Sequence, residues 1–82
     1  MSRLRDVVEI LARALADEPQ RVVVTEVEHR GTILIEVSAA PPDVGKIIGR
    51  QGRTIAAMRT LVAAAERGDR KVALEIRDSA AG

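Results

Sequence analysis

Two glycines separated by two residues interrupt a helical pattern and could hold an anion. They lie in the segment Ile47-Ile48-Gly49-Arg50-Gln51-Gly52-Arg53-Thr54-Ile55. Glycine tolerates positive φ and lets another molecule approach the backbone closely. Gly52 precedes a longer helical pattern, whose first N–H groups lack partners inside the helix and attract negative charge. Because Arg50 and Arg53 add positive charge, the segment predicts a clamp for a phosphate backbone.

Two better-known glycine motifs do not fit this segment. A nucleotide P-loop requires Gly, four residues and then Gly-Lys-Ser/Thr after a strand. A dinucleotide-binding motif requires a strand before its glycines, whereas here helical patterns lie on both sides. One alternative without a ligand stays open, in which the glycines only permit a close-packed elbow between two helices.

The positive charge of the chain is concentrated around the glycines. The chain has 13 Lys+Arg and 12 Asp+Glu, a net charge of +1. Residues 41–60 contain four basic residues and one acidic residue, whereas residues 1–40 carry a net −2 and residues 61–82 a net 0. Bulk charge alone therefore does not predict polyanion binding, and any nucleic-acid site has to be local. Ordinary solvation of four basic side chains on helix surfaces explains the same distribution equally well.

The composition excludes several kinds of site. The chain has 82 residues, no Cys, one His and no Phe, Tyr or Trp. A disulfide framework and the usual zinc sites are excluded, as are RNA modules that stack bases on aromatic rings. His29 lies beside a turn among charged residues, which indicates a solvated side chain. No Ser or Cys is placed near a base, so we expect no enzyme and no cofactor.

The apolar runs are too short for a membrane helix, which needs roughly 18 residues. The basic N-terminal stretch has no uninterrupted apolar run behind it, so it does not resemble a signal peptide. We therefore expect a cytoplasmic protein without a membrane partner or a small-molecule substrate.

Three helices are expected to position the glycine segment. Apolar residues at helical spacing predict a first helix that is capped by Ser2 and ends before Pro19. Asp43 is predicted to be the N-cap of a short helix that begins at Val44. A longer helix follows Gly52 and is predicted to end with Gly68 at its C-cap. The apolar stripe of the first helix comprises Leu4, Val7, Val8, Leu11, Ala14 and Leu15, and that of the last comprises Ile55, Met58, Leu61, Val62 and Ala65.

Three strands complete the prediction. Residues 21–29 are rich in Val and Thr but alternate imperfectly, so their buried face is not predicted. Residues 32–38 alternate cleanly, with Ile33, Ile35 and Val37 on one face, and a Gly-containing turn joins the two strands into a hairpin. Residues 71–77 form the last strand. The fold class is therefore α+β, in the order α-β-β-α-α-β, with a three-stranded sheet and the helices on one face.

At this point the glycine segment resembles a known family. Residues 47–55 are similar to the KH-domain signature Val/Ile-Ile-Gly-x-x-Gly-x-x-Ile, and the element order is similar to the type II KH fold. At this length, residues 42–55 resemble those of the small bacterial single-KH-domain proteins of the KhpA type. The resemblance covers essentially the whole chain. It implies one KH domain over residues 1–82, with the GXXG loop at 49–52 and a frayed tail at 79–82.

The resemblance also implies a function and a site. A KH GXXG loop clamps about four nucleotides of a single strand, and the family implies an RNA chaperone or post-transcriptional regulator. It implies self-association as a homodimer, association with a larger KH-containing protein of the KhpB type, or both. The implied RNA-binding residues are Val44, Gly45, Lys46, Ile48, Gly49, Arg50, Gln51, Gly52, Arg53, Val72, Ala73 and Leu74.

Two alternatives remain at this level. A single-stranded DNA would fit a four-nucleotide groove as well as RNA, because only contacts to the 2′-hydroxyl discriminate. The chain could also be a protein-interaction module that uses the open face of the sheet, where Leu34, Val23 and Ala73 would expose apolar groups. The basic two-glycine loop favours RNA binding over this second interpretation.

Overall fold

The computed structural model describes residues 3–79, and its element order is the predicted one. Three helices and three strands follow in the order α-β-β-α-α-β, which confirms the α+β fold class. Short 3₁₀ turns lie at Pro19–Arg21 and Arg50–Gly52. The elements are α1 (Arg3–Leu15), β1 (Val23–His29), β2 (Thr32–Ala39), α2 (Pro41–Ile48), α3 (Arg53–Ala65) and β3 (Lys71–Asp78).

The sheet is mixed, with β2 in the middle. β1 pairs antiparallel with β2, and β3 pairs parallel with β2. Parallel pairing requires a crossover connection, which α2, the glycine turn and α3 supply. β3 therefore begins at the hairpin end of the sheet, where the Lys71 N–H donates to the Gly31 carbonyl at 3.0 Å. The thirteen residues of α3 span about 20 Å, so the glycine turn lies at the opposite end of the domain.

An aliphatic core lies between the sheet and the three helices. Ile33, Ile35 and Val37 of β2 are buried, as the alternation predicts. Opposite them, each helix contributes a narrow buried stripe, so one face of the sheet is covered and the other is open. The buried apolar residues of the helices are Leu4, Val8, Ala12, Ile47, Ile55, Met58 and Val62.

Asp43 is not the N-cap of α2, so this prediction was wrong. The helix begins two residues earlier, at Pro41, with Ala40 as its N-cap. Proline suits the first helical position because its fixed φ matches the helix and its missing N–H is not needed there. Asp43 is instead buried, and its two carboxylate oxygens accept the N–H groups of Asp17 and Glu18 at 3.0 Å each.

The end of α3 also differs from the prediction. α3 ends at Ala65, and Glu66 rather than Gly68 follows it in an extended conformation with φ −72° and ψ 126°. The Glu66 carboxylate receives two N–H groups of Arg70 at 2.8 and 2.9 Å, and Arg70 also bonds Glu28 of β1. The local pair with Glu66 and the distant pair with Glu28, which local sequence does not encode, together organise the segment after the helix.

The ends of the chain test the remaining predictions only in part. The predicted Ser2 cap and the predicted frayed residues 80–82 lie outside the described residues. Asp78 belongs to β3, and the Ser79 hydroxyl accepts a hydrogen bond from Arg21 at 3.2 Å. Within residues 3–79, none of the helices combines the length and the apolar character needed to cross a membrane.

Candidate nucleic-acid interface

Gly49 opens the turn between α2 and α3 and cannot be replaced by a larger residue without strain. Its φ is +80°, a left-handed value that disfavours side chains. A Cβ at this position would overlap the Thr54 hydroxyl and lie 2.6 Å from the Thr54 Cβ. The Gly49 N–H donates to the Gly45 carbonyl at 2.9 Å, which closes α2. Backbone conformation and packing therefore both require glycine here.

The turn itself exposes bare backbone. Gln51 and Gly52 are both left-handed, with φ of 56° and 73°, and the Gly52 N–H closes the turn on the Gly49 carbonyl at 3.0 Å. A non-glycine residue in this region costs about 1–2 kcal/mol, so Gln51 stores strain here. No heavy atom lies within 4 Å of the place where a Gly52 Cβ would be. The outer side of the turn is therefore open to a ligand's backbone.

The first turn of α3 is poorly capped. Gly52 is the N-cap and has no side chain to accept the following N–H groups, the role that Ser, Thr, Asp or Asn usually performs. The Arg53 N–H bonds the Arg50 carbonyl, but a helix has further orphan donors in its first turn. These donors and the helix dipole point towards the open side of the glycine turn, where an anion would be stabilised.

Arg50 and Arg53 stand beside this helix end with exposed side chains. Arg53 Nη2 donates to the Gln51 side-chain oxygen at 3.2 Å, which folds the guanidinium back over the turn. No acidic side chain in the described part of the chain pairs with either arginine. The two charges remain available to a phosphate.

Lys46 is held away from the turn, although the resemblance implied a role for it there. Its ammonium group bonds Asp17 and lies 3.9 Å from Asp43. The bond to Asp17 raises the pKa of Lys46 above its ordinary value. At 100° per residue, Lys46 is also on the opposite flank of α2 from Val44 and Ile48. The structure therefore does not bring Lys46 together with the other predicted site residues.

The remaining α2 residues form one flank beside the turn. Val44 and Ile48 are one helical turn apart and are half-buried against the core. Gly45 is exposed, and a Cβ there would meet no atom within 4 Å. This flank offers an aliphatic surface that is open at Gly45, consistent with a wall for unstacked bases.

β3 supplies the opposite side through its backbone. The Lys71 N–H points towards the hairpin, so the alternation of a strand turns the backbone groups of Val72, Leu74 and Ile76 to the free edge. The Leu74 side chain is only 1% exposed. Of the three predicted residues of β3, Val72 and Leu74 therefore direct their backbone N–H and carbonyl groups to the free edge. The backbone groups of Ala73 point towards β2.

Arg59 joins this edge and was missed as a site residue by the sequence analysis. Its Nε and Nη2 both donate to the Leu74 carbonyl, at 3.1 and 3.0 Å. The only sequence signal was that Arg59 is the fourth basic residue of the positive segment 41–60. Its contact with β3 depends on the crossover and could not be read from the sequence.

Asp43 fixes the position of α2 relative to the rest of the domain. Its carboxylate ties the first turn of α2 to residues 17 and 18, more than twenty positions earlier in the chain. The N–H of Glu18 and then that of Asp17 lower the pKa of Asp43 below its ordinary value, against the opposing effect of burial. A charged Asp43 therefore holds the helix that leads into the glycine turn.

Two apolar patches lie outside this region. On the open face of the sheet, Val27 (59% exposed), Leu34 (37% exposed) and Ala73 form one row across the three strands. Between α1 and α3, Leu15 and Leu61 are exposed beside a groove lined almost only by apolar atoms. Part of the apolar stripe of each of these helices is therefore exposed, because α1 and α3 pack on the core through a narrower face.

Comparison with known proteins identifies the family. The family model described as "KhpA/KhpB, KH domain" matches residues 5–76. The chain belongs to the KhpA/KhpB family of KH domains. It is 46% identical over 74 residues to the RNA-binding protein KhpA of Chlamydia caviae, covering 89% of this chain and 95% of the relative.

Other relatives of the family show similar agreement. The chain is 44% identical over 77 residues to the RNA-binding protein KhpA of Aquifex aeolicus, covering 93% of this chain and 98% of the relative. It is 45% identical over 74 residues to the RNA-binding protein KhpA of Clostridium perfringens, covering 89% of this chain and 99% of the relative. The KH resemblance stated from the glycine segment is therefore confirmed.

Proposed function

We propose that this protein binds single-stranded RNA by clamping its sugar–phosphate backbone over the turn from Gly49 to Gly52. The observation that carries the proposal is the open glycine turn at a helix end without a side-chain cap, flanked by two arginines that have no acidic partner within residues 3–79. The names of the relatives, each an RNA-binding protein, support RNA as the ligand.

The turn, its two arginines, α2 and β3 each contribute differently to the proposed RNA binding. A phosphate sits on the open side of Gly52, where α3 supplies N–H donors, while Arg50 and Arg53 add positive charge. The bases then extend between the aliphatic flank of α2 and the free edge of β3. Such a groove needs unstacked bases, so a duplex does not fit it. Aliphatic walls replace the aromatic rings that the chain lacks.

The wider role follows from this binding mode. We propose an RNA chaperone or post-transcriptional regulator that acts in the cytoplasm without catalysis. A groove for about four nucleotides reads few bases, so several grooves have to act together to reach useful affinity and specificity. A homodimer, or a complex with a larger KH-containing protein of the KhpB type, would supply them.

The open face of the sheet favours a second candidate, a protein-interaction module with little RNA binding. The row Val27, Leu34 and Ala73 is apolar and uncovered in the monomer. We expect the two activities to coexist, because this face and the glycine turn are different surfaces. Sedimentation of the Leu34→Asp and Leu61→Asp variants tests the partner surface. Weakened self-association only in Leu34→Asp supports the sheet face, and weakened self-association only in Leu61→Asp rejects it.

The salt dependence of binding tests the RNA-clamp mechanism. Two phosphate contacts, from Arg50 and Arg53, predict a slope of log K against log salt of about −1.4, at roughly 0.7 per phosphate for single strands. A labelled single-stranded RNA of eight nucleotides is titrated at several salt concentrations, with the matching duplex as control. A slope near zero, or equal affinity for the duplex, would refute the clamp. No binding of RNA together with retained self-association would favour the second candidate.

A further inference from the structure

At the free edge of β3, Arg59 changes which backbone hydrogen-bonding groups are available to a ligand. On an unpaired strand edge, each outward carbonyl is followed by the outward N–H of the residue two positions later. Here the pair would be the Leu74 carbonyl and the Ile76 N–H. The Leu74 carbonyl already accepts two bonds from Arg59, at 3.1 and 3.0 Å. In place of an acceptor beside a donor, this position therefore offers arginine N–H groups beside a backbone N–H.

Arg59 keeps donors to spare for a ligand. An arginine has five N–H donors, and the Leu74 carbonyl takes two of them. Arg5 differs from Arg59 in this respect. It donates to the Val24 carbonyl at the other edge of the sheet at 2.9 Å, but its other N–H groups bind Asp6 and Glu9. No acidic side chain within residues 3–79 pairs with Arg59. Its three remaining donors bond no acceptor in the described part of the chain.

Arg59 also lies within reach of a strand bound at the glycine turn. It is seven residues after Gly52 in α3, about 10 Å along the helix axis. A GXXG loop clamps about four nucleotides, which span more than this distance when extended. A base from a bound strand can therefore reach the edge at Leu74 and Ile76.

We propose that Arg59 is a specificity-determining residue, and that the position beside Leu74 and Ile76 accepts a cytosine or guanine rather than an adenine. The inference rests on the proposed RNA binding. Cytosine presents N3 and O2, and guanine presents N7 and O6, as two adjacent acceptors for two donors. Adenine presents its N6 amino donor beside both N1 and N7, so on either edge it needs the carbonyl that Arg59 occupies.

The test compares two hexanucleotides, UUCCUU and UUAAUU, by fluorescence anisotropy. Wild-type protein is expected to bind the cytosine-containing strand at least about fivefold more tightly, the lower end of what one bidentate base contact discriminates. Arg59→Met frees the Leu74 carbonyl, retains an unbranched side chain on the helix and is expected to abolish or reverse this preference. Equal wild-type affinities, or the same ratio in Arg59→Met, would overturn the proposal.

Two controls separate base selection from charge and from folding. If Arg59 only contacts a phosphate, Arg59→Met weakens both strands equally and lowers the salt slope by about 0.7, which contradicts the proposal. Arg59→Lys keeps the charge but not the planar fork, so it is expected to lose the preference while retaining the slope. Circular dichroism checks the fold of both variants. If wild-type protein binds neither strand, the proposed RNA binding itself fails, which is a different outcome from binding without preference.

Discussion

Reversing the charge of the glycine turn should abolish most RNA binding while leaving the fold intact. The informative variant carries Arg50→Asp together with Gln51→Asp. Both side chains are exposed, and the left-handed φ of 56° at Gln51 is one that Asp tolerates better than most residues. No side-chain hydrogen bond or ion pair of Arg50 is seen in the described residues, so its replacement removes no such interaction within the protein.

The magnitude follows from the number of charges that change. The two substitutions change the charge at the turn by three units, from +2, carried by Arg50 and Arg53, to −1. At an exposed site each unit contributes about 0.5–1 kcal/mol of attraction lost or repulsion gained. The total of about 1.5–3 kcal/mol weakens binding by about ten- to 150-fold at 25 °C. Fluorescence anisotropy with a single-stranded octanucleotide measures the change.

A matched control is available at the other end of the domain. His29→Asp with Arg30→Asp also changes the charge by three units, and Arg30 has a comparable left-handed φ of 51°. The hairpin turn is separated from the glycine turn by the length of α3, about 20 Å, well beyond the screening length of about 8 Å at physiological salt. We expect less than a twofold loss. A comparable loss in both variants would mean that net charge, and not the turn, governs binding.

Retained binding in the loop variant would contradict the reasoning directly. If the protein remains folded by circular dichroism and binds within twofold of wild type, the RNA backbone does not contact the turn. The assignment of residues 49–53 to the interface would then be wrong, whatever the rest of the chain binds.

Three further predictions concern the support of the site. Gly49→Ala should destabilise the protein by about 2–5 kcal/mol, because the backbone there is left-handed and the new Cβ would clash with Thr54. Gly45→Ala should instead stabilise the protein by about 0.5–1 kcal/mol, because a Cβ there meets no atom within 4 Å. Urea denaturation measures both changes. Lys46→Gln should change RNA affinity less than twofold, because Asp17 already binds Lys46. Arg53→Gln should weaken RNA binding several-fold and lower the salt slope by about 0.7. A larger loss of affinity in Lys46→Gln than in Arg53→Gln would place Lys46 in the interface again. Asp43→Asn should lower the melting temperature at pH 7, and the wild-type stability should fall on acidification below about pH 4 more steeply than that of Asp43→Asn.

The sign of the last effect follows from the pKa of Asp43. Its pKa is lower in the folded protein, because the N–H groups of Glu18 and Asp17 stabilise the carboxylate. The unfolded chain therefore takes up a proton first as the pH falls. The stabilisation is complete above the ordinary aspartate pKa and is lost as the pH falls towards the folded value. An Asn at this position does not titrate, so the stability of Asp43→Asn should fall less steeply as the pH is lowered.

Local patterns were sufficient for the element order and for the identity of the turn. Clean alternation in residues 32–38 placed Ile33, Ile35 and Val37 in the core, because a strand with one covered face has a period of two. The spacing of Gly49 and Gly52 marked the turn, because few other residues adopt its backbone angles. Periodicity did not predict that Leu15 and Leu61 are exposed, since it reports which side of a helix is apolar but not how much of that side a neighbour covers.

The contacts that complete the site join residues far apart in the chain. Lys46 and Asp17 are 29 positions apart, Asp43 and Glu18 are 25 apart, and Arg59 reaches a carbonyl 15 residues later. The first two depend on the packing of α2 against the α1–β1 connection, and the third depends on the parallel crossover that returns the chain to β3. A one-dimensional pattern contains neither.

The chain's amino acids thus dictate a basic two-glycine turn between helices, because the turn's backbone angles and its helix-end charge are set within nine residues. Which of the four basic residues near that turn remain available is a different matter. The fold commits Lys46 to Asp17 and attaches Arg59 to the strand edge. Among the residues that the structure describes, it brings no acidic side chain to Arg50 or Arg53. Only the three-dimensional arrangement decides this, because an ion pair depends on which distant acidic group or carbonyl is brought within hydrogen-bonding distance.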